Sequence, residues 1–100
     1  MKSIDTRDDS GKLDIDDTLK QRGASYGNYV DQSVIAENLM REIEREKGWK
    51  KFPPTHRQAT RVIVIKLARL LNGNPNHVDS WHDIAGYATL ARNACEDLQS

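Results

Sequence analysis

Residues 55–72, THRQATRVIVIKLARLLN, decide the fold of this chain. Apolar residues occupy nearly every side of the segment at helical spacing, which is typical of a helix packed among others. The β-branched run Val62–Ile65 also suits a strand, but the length of the segment favours a helix. Because Thr55 and Gln58 fit a capping box, we expect the helix to begin at Thr55 and to be the central one.

Amphipathic segments flank this helix on both sides. One covers about residues 31–47, and Gly48 is expected to end it. The other covers about residues 79–98 and carries an apolar stripe. The stripe consists of Trp81, Ile84, Ala85, Ala88, Ala91, Cys95 and Leu98. The short polar segment 72–76 between the second and third helices predicts that they are antiparallel neighbours.

The N-terminal part of the chain is more polar. Residues 1–13 carry almost no apolar side chains and predict a flexible tail, whereas residues 14–22 fit a short helix that Gly23 ends. The sequence thus predicts an all-α fold, a small helical bundle of three main helices plus a short N-terminal one, in a single domain over residues 14–100. Because a core of this size gains from burial against a copy of itself, we expect a homo-oligomer.

Composition excludes several classes of protein. The chain has 15 basic and 15 acidic residues and no formal net charge, which argues against general nucleic-acid binding. Its one cysteine, Cys95, cannot form an intrachain disulfide and is expected to be a small packed side chain. The sequence has no membrane-length apolar run, and its polar start lacks the apolar core of a signal peptide, so we expect a cytoplasmic protein.

Two charged pairs are the strongest functional signal. Lys66 and Arg69 share a face of the central helix, and Asp79 and Asp83 share a face of the last helix. In the functional interpretation, the cations hold a phosphate and the carboxylates hold a divalent metal such as Mg²⁺. In the structural alternative, Asp79 caps the last helix, Asp83 faces its dipole, and the basic residues neutralise both.

Four segments carry a family resemblance: Arg22–Gly27, Lys66–Arg69, Asn72–Pro75 and Asp79–Tyr87. They resemble small domains of unknown function found mostly in bacteriophages and prophages. A more distant similarity links the chain to MazG-like all-α nucleotide pyrophosphohydrolases, which hold magnesium with Glu-x-x-Glu and Glu-x-x-Asp pairs. Here Ser80 stands in place of the first acid of the last pair, and the first main helix has no Glu-x-x-Glu pair.

The resemblance implies a phage accessory protein that binds a nucleotide or a related phosphate ligand, in the host cytoplasm. The implied ligand-binding residues are Arg22, Lys66 and Arg69 for phosphate, Tyr26, Trp81 and Tyr87 for the base, and Asp79 and Asp83 for a magnesium ion. Two alternatives stay open. One is a non-catalytic protein that binds a host protein, and the other is a magnesium-dependent nucleotide pyrophosphohydrolase.

Overall fold

The computed structural model describes residues 15–21 and 27–99. Helix α1 covers residues 15–21, and the remaining elements are α2 (Tyr29–Arg45), a 3₁₀ helix (Lys47–Lys51), α3 (Pro54–Asn72) and α4 (Val78–Gln99). The all-α prediction of three main helices and a short N-terminal one is confirmed. Within these residues, no helix has both the length and the apolar character needed to cross a bilayer.

Helix α2 begins two residues earlier than the sequence pattern indicates, because Asn28 caps it. The Asn28 Oδ1 atom accepts hydrogen bonds from the backbone N–H groups of Val30 (2.7 Å) and Asp31 (3.2 Å). These contacts satisfy two of the amides that a helix N-terminus leaves unpaired. The helix ends at Arg45, before the expected stop at Gly48, and the chain continues as the 3₁₀ helix.

The start of α3 corrects the capping-box prediction. The helix begins at Pro54, with Pro53 in extended conformation as the N-cap residue and no side-chain cap. Proline suits the first helical position because its fixed φ is helical and the N–H it lacks would have no partner there. The Thr55 hydroxyl contacts the ring of His56 instead (Oγ1–Nδ1 2.9 Å).

The hydrophobic core lies between α2 and α3. Ala36 and Met40 of α2 are buried with Val64 and Ala68 of α3, and Ala68 has no exposed surface. Helix α4 packs on α3 as well, but within the described residues its backbone makes no close approach to α2. Helix α3 is therefore central, as predicted. Over the described residues, helices α2 and α4 both pack on α3 and do not cover each other's surfaces.

Helix α4 contributes less to the core than its apolar stripe predicts. Ile84, Ala91 and Cys95 are half-buried, whereas Trp81, Ala85, Ala88 and Leu98 are exposed. Among the α4 side chains whose burial the structure describes, Ser80 is the buried one, at 1% exposed, and its hydroxyl lies 2.9 Å from the Nδ1 atom of His77. The apolar stripe is thus only partly covered, because a single neighbouring helix of the described chain packs on one side of α4.

The 3₁₀ helix places Trp49 against the edge of the core. The guanidinium groups of Arg57 and Arg61 lie 5.4 and 5.6 Å from the centroid of the Trp49 ring. The Arg57 Nε–H also donates to the carbonyl oxygen of Phe52 (2.9 Å). Arg57 therefore joins the start of α3 to the preceding turn by both a hydrogen bond and a cation–π contact.

Candidate functional site

An ion pair between α3 and α4 lies at the centre of the site that the sequence predicts. The Lys66 Nζ atom is 2.9 Å from the Asp83 Oδ2 atom. The Lys66 side chain is 17% exposed and that of Asp83 is 42% exposed, so the pair is open to solvent on the carboxylate side. The helical hairpin thus brings one cation and one carboxylate of the four predicted charges into contact.

The charges around Asp83 hold its pKa below the ordinary value of 3.8. The largest cause is the hydrogen bond from Lys66, followed by the charge of Lys66. Burial opposes this lowering, and the charges of His82 and Arg69 add to it. Arg69 is half-buried on α3, one turn beyond Lys66, so both predicted cations act on the same carboxylate.

Asp79 is exposed in the first turn of α4, four residues before Asp83. The positive end of the helix dipole favours a carboxylate in this position. Among the described residues, no group of three or more His, Cys, Asp or Glu side chains is arranged to hold a metal ion. Asp79 and Asp83 suit a magnesium ion only if phosphate or water supplies most of its ligands, an arrangement that Mg²⁺ commonly adopts.

A shallow hollow of about 400 Å³ adjoins the ion pair. It is lined by His82, Asp83, Gly86, Tyr87 and Leu90, and we call it the Tyr87 hollow. It offers one carboxylate, one imidazole and one phenol ring beside apolar surface. This combination suits a ligand with a flat apolar part and hydrogen-bonding edges.

The predicted aromatic residues do not all meet at this hollow. The Trp81 indole N–H donates to the carbonyl oxygen of Pro75 (2.8 Å), which ties the ring to the turn before α4. Trp81 and Tyr87 are six positions apart on one helix and project in directions about 120° apart. Tyr87 lines the hollow, and Trp81 does not.

Arg22 and Tyr26 lie outside the described residues, and the described chain resumes at Gly27. Gly27 has a positive φ of 78° and lies against Asn72 at the C-terminal end of α3. The Asn72 side-chain amide donates to the carbonyl oxygen of Asn28 (2.8 Å). Gly27 and Asn28 therefore meet Asn72, which is more than forty positions away in the sequence, at this end of α3.

Sequence reasoning missed a contact between His56 and Cys95. The His56 Nε2 atom lies 3.1 Å from the Cys95 Sγ atom, and both residues line a second hollow of about 600 Å³. The two residues are 39 positions apart, on different helices, so no spacing rule connects them. Cys95 is half-buried, and the expectation of a small side chain that only packs is incomplete.

These features define a small all-α domain in which a helical hairpin carries an ion pair beside an open hollow. Residues 16–95 match the model of a family described as a domain of unknown function, DUF6378. The match covers most of the chain, and the chain belongs to this family. No curated protein and no solved structure matches the chain.

Proposed function

We propose that the domain binds a nucleotide or a related phosphorylated ligand at the Lys66–Asp83 pair and the Tyr87 hollow. The observation that carries the proposal is the half-open ion pair beside an aromatic-lined hollow. The hollow gives a ligand access to the exposed carboxylate side of the pair. The family to which the chain belongs is of unknown function. The proposal therefore depends on the chemistry of these side chains.

In this proposal, the ion pair is the resting arrangement of the unliganded site. An incoming phosphate replaces the Asp83 carboxylate as the partner of Lys66, with Arg69 as a second cation. The released carboxylate, together with Asp79, then holds a magnesium ion whose other ligands come from phosphate and water. Arg22 adds a further phosphate contact in this scheme.

The aromatic residues hold the base in this proposal. The Tyr87 ring stacks on it within the hollow, and Tyr26, which directly precedes Gly27, adds a second stacking surface. Trp81 was also predicted to stack on the base, but its hydrogen bond to Pro75 argues for a positioning role at the start of α4. The proposal therefore rests mainly on Tyr87.

Thermal unfolding against a panel of nucleoside mono-, di- and triphosphates, with and without magnesium, tests the proposal. A ligand at a hundred times its dissociation constant stabilises the folded state by about 2.7 kcal/mol, which is readily measured. Lys66→Met and Tyr87→Leu should abolish the shift. Lys50→Met is the matched control, since Lys50 is an exposed lysine on the 3₁₀ helix. A flat response across the panel would remove the proposal.

The same panel addresses catalysis. Pyrophosphate release from a nucleoside triphosphate, lost in Asp83→Ala, would make the domain a pyrophosphohydrolase. Nucleotide binding without release would leave it a binding protein. We rank turnover below binding, because Ser80 stands in place of an acid that the pyrophosphohydrolases use and the first main helix has no Glu-x-x-Glu pair.

A second candidate function is homotypic assembly through α4. Residues 85–90 are all exposed, and residues 84–91 carry no charged side chain. A second copy is the partner that this surface favours, because a two-fold contact places a patch against itself and any charge on the axis repels its own image. The small residues Ala85, Gly86 and Ala88 allow two helices to approach closely.

Light scattering after size exclusion, over a range of protein concentrations, tests the assembly. Leu90→Glu should dissociate the dimer by placing like charges across the two-fold axis. Val34→Glu, at an exposed apolar position on α2, should leave it intact. A wild-type chain that is monomeric at every concentration would exclude self-assembly. It would favour a host protein as the partner of this surface.

A further inference from the structure

Three side chains at the end of the domain remote from the Lys66–Asp83 pair form a hydrogen-bonded row. The Thr55 Oγ1 atom lies 2.9 Å from His56 Nδ1, and His56 Nε2 lies 3.1 Å from Cys95 Sγ. We assign Nε2 as the acceptor of a hydrogen bond from the thiol, because sulfur is only a weak acceptor in the opposite arrangement. The proton of the neutral ring is then on Nδ1, which donates to the Thr55 hydroxyl oxygen.

This order of groups is the one that nucleophilic catalysis and thiol exchange use. A nucleophile contacts a base, and a third group holds the base in the required tautomer. In this row Cys95 occupies the place of the nucleophile, His56 that of the base and Thr55 that of the orienting group. Helix α4 supplies the thiol and the first turn of α3 supplies the other two, so the packing of the hairpin fixes the arrangement.

The hollow beside Cys95, which we call the Cys95 hollow, indicates what reaches the thiol. Its volume is about 600 Å³, and its walls include the apolar side chains of Phe52, Pro53 and Leu98. Lys51 is the lysine in its lining. A compact molecule with an apolar body and an anionic group fits both features.

We propose that Cys95 is an activated thiol that exchanges with small disulfides bearing a carboxylate. His56 Nε2 takes the thiol proton, and the Cys95 sulfur attacks one sulfur of the disulfide. The S–S bond of the small molecule breaks as the mixed disulfide with Cys95 forms. The leaving sulfur departs as a thiolate, and the proton on His56 passes to it or, when the leaving thiol is acidic, to water; one thiol group and one disulfide are consumed and one of each is formed.

The reaction of the full chain with dithiobis(nitrobenzoate), an aryl disulfide that carries carboxylates, tests the proposal. Cys95 is the one cysteine of the chain, so the coloured thiolate released reports this residue alone. At neutral pH the rate should exceed that of His56→Gln by about tenfold or more, since loss of a positioned base costs at least this much. Thr55→Val should slow the reaction by a smaller factor.

Two comparisons separate an activated thiol from an exposed one. Gln58→Ala removes an exposed side chain from the same first turn of α3 and should leave the rate unchanged. Lys51→Glu should slow the reaction with the anionic disulfide relative to the reaction with the uncharged dithiodipyridine. Lys50→Glu should leave the ratio of these two rates unchanged. Circular dichroism of each variant shows whether it folds. If His56→Gln fails to fold, the ratio of the two reaction rates in Lys51→Glu still tests the proposal.

Either of two results overturns the proposal. One is a wild-type rate equal to that of free cysteine and unaffected by Thr55→Val and His56→Gln. The other is a ratio of the reaction rates with the two disulfides that does not change with the charge at position 51. The first would show that His56 only packs against the sulfur, and the second would show that the Cys95 hollow does not hold the reagent.

Discussion

Gly27 and Asn72 approach so closely that no side chain fits between them. A Cβ atom at Gly27 would overlap the Asn72 carbonyl oxygen and lie 2.9 Å from its Nδ2 atom. The positive φ of Gly27, 78°, is also one that other residues rarely adopt. Both the backbone conformation and the lack of space therefore require glycine here.

Gly27→Ala should lower the free energy of unfolding by about 2 kcal/mol, of which the left-handed conformation alone accounts for about 1–2 kcal/mol. Urea unfolding measures the change. Gly86→Ala is the matched control, because Gly86 lies within α4 and nothing is within 4 Å of its Cβ position. That substitution should stabilise the helix by about 0.5–1 kcal/mol. Equal effects at the two glycines would contradict the close approach.

Asn28→Ala should destabilise the domain by about 1 kcal/mol, because it removes the acceptor for two amides at the start of α2. Asn28→Asp keeps an acceptor oxygen in the same place and should retain most of the stability. The bond from Asn72 to Asn28 uses the backbone carbonyl and survives both changes. Chemical denaturation of the three proteins side by side gives the comparison, and a loss in Asn28→Asp equal to that in Asn28→Ala would argue against the cap.

Asp83 makes stability depend on pH in the acid range. Its folded-state pKa lies below the ordinary 3.8, so the carboxylate stabilises the fold fully above the unfolded-state value. That contribution is lost as the pH falls below 3.8 and through the folded-state pKa. Asp83→Asn should therefore be less stable than the wild type at neutral pH, and the difference should shrink as the pH falls below about 4.

Thermal unfolding from neutral to acid pH measures this difference. Asp97→Asn serves as the reference, since Asp97 is an exposed carboxylate near the end of α4. A difference between wild type and Asp83→Asn that stays constant with pH would mean that the Lys66 contact contributes nothing to folding.

Arg57→Lys should destabilise the domain by about 1–2 kcal/mol, although it keeps the charge. A lysine cannot hold the Phe52 carbonyl with the geometry of the guanidinium, and it loses the planar contact with Trp49. Arg92→Lys should change stability by no more than about 0.5 kcal/mol, because Arg92 is 71% exposed. If both substitutions have the same small effect, the contacts of Arg57 do not stabilise the turn.

Local sequence patterns located the helices well. The β-branched run at Val62–Ile65 is helical, as the length of its segment predicts. The helix boundaries depend on details that the pattern does not contain. Helix α2 begins two residues before the predicted start because Asn28 caps it. Helix α3 begins at Pro54 rather than Thr55 because Pro53 has the extended backbone of an N-cap residue.

The candidate site was only partly readable. Helical spacing predicted that Lys66 and Arg69 share one helix face and that Asp79 and Asp83 share another. The packing of the two helices determined that Lys66 and Asp83 form the ion pair. The family resemblance grouped Trp81 with Tyr87, but the helix directs the two side chains to different sides. Burial along α4 depends on how many helices cover it, which no stripe of apolar residues specifies.

The sequence by itself determined the helical fold and the positions of its charged and aromatic residues, because hydrophobic periodicity and turn residues act over a few positions of the chain. The tertiary structure alone decided which distant residues meet: Lys66 with Asp83, Gly27 with Asn72, and His56 with Cys95. Such contacts depend on the rotation and offset of one helix against another. Those quantities arise from the packing of whole side chains and are not encoded in any short stretch of sequence.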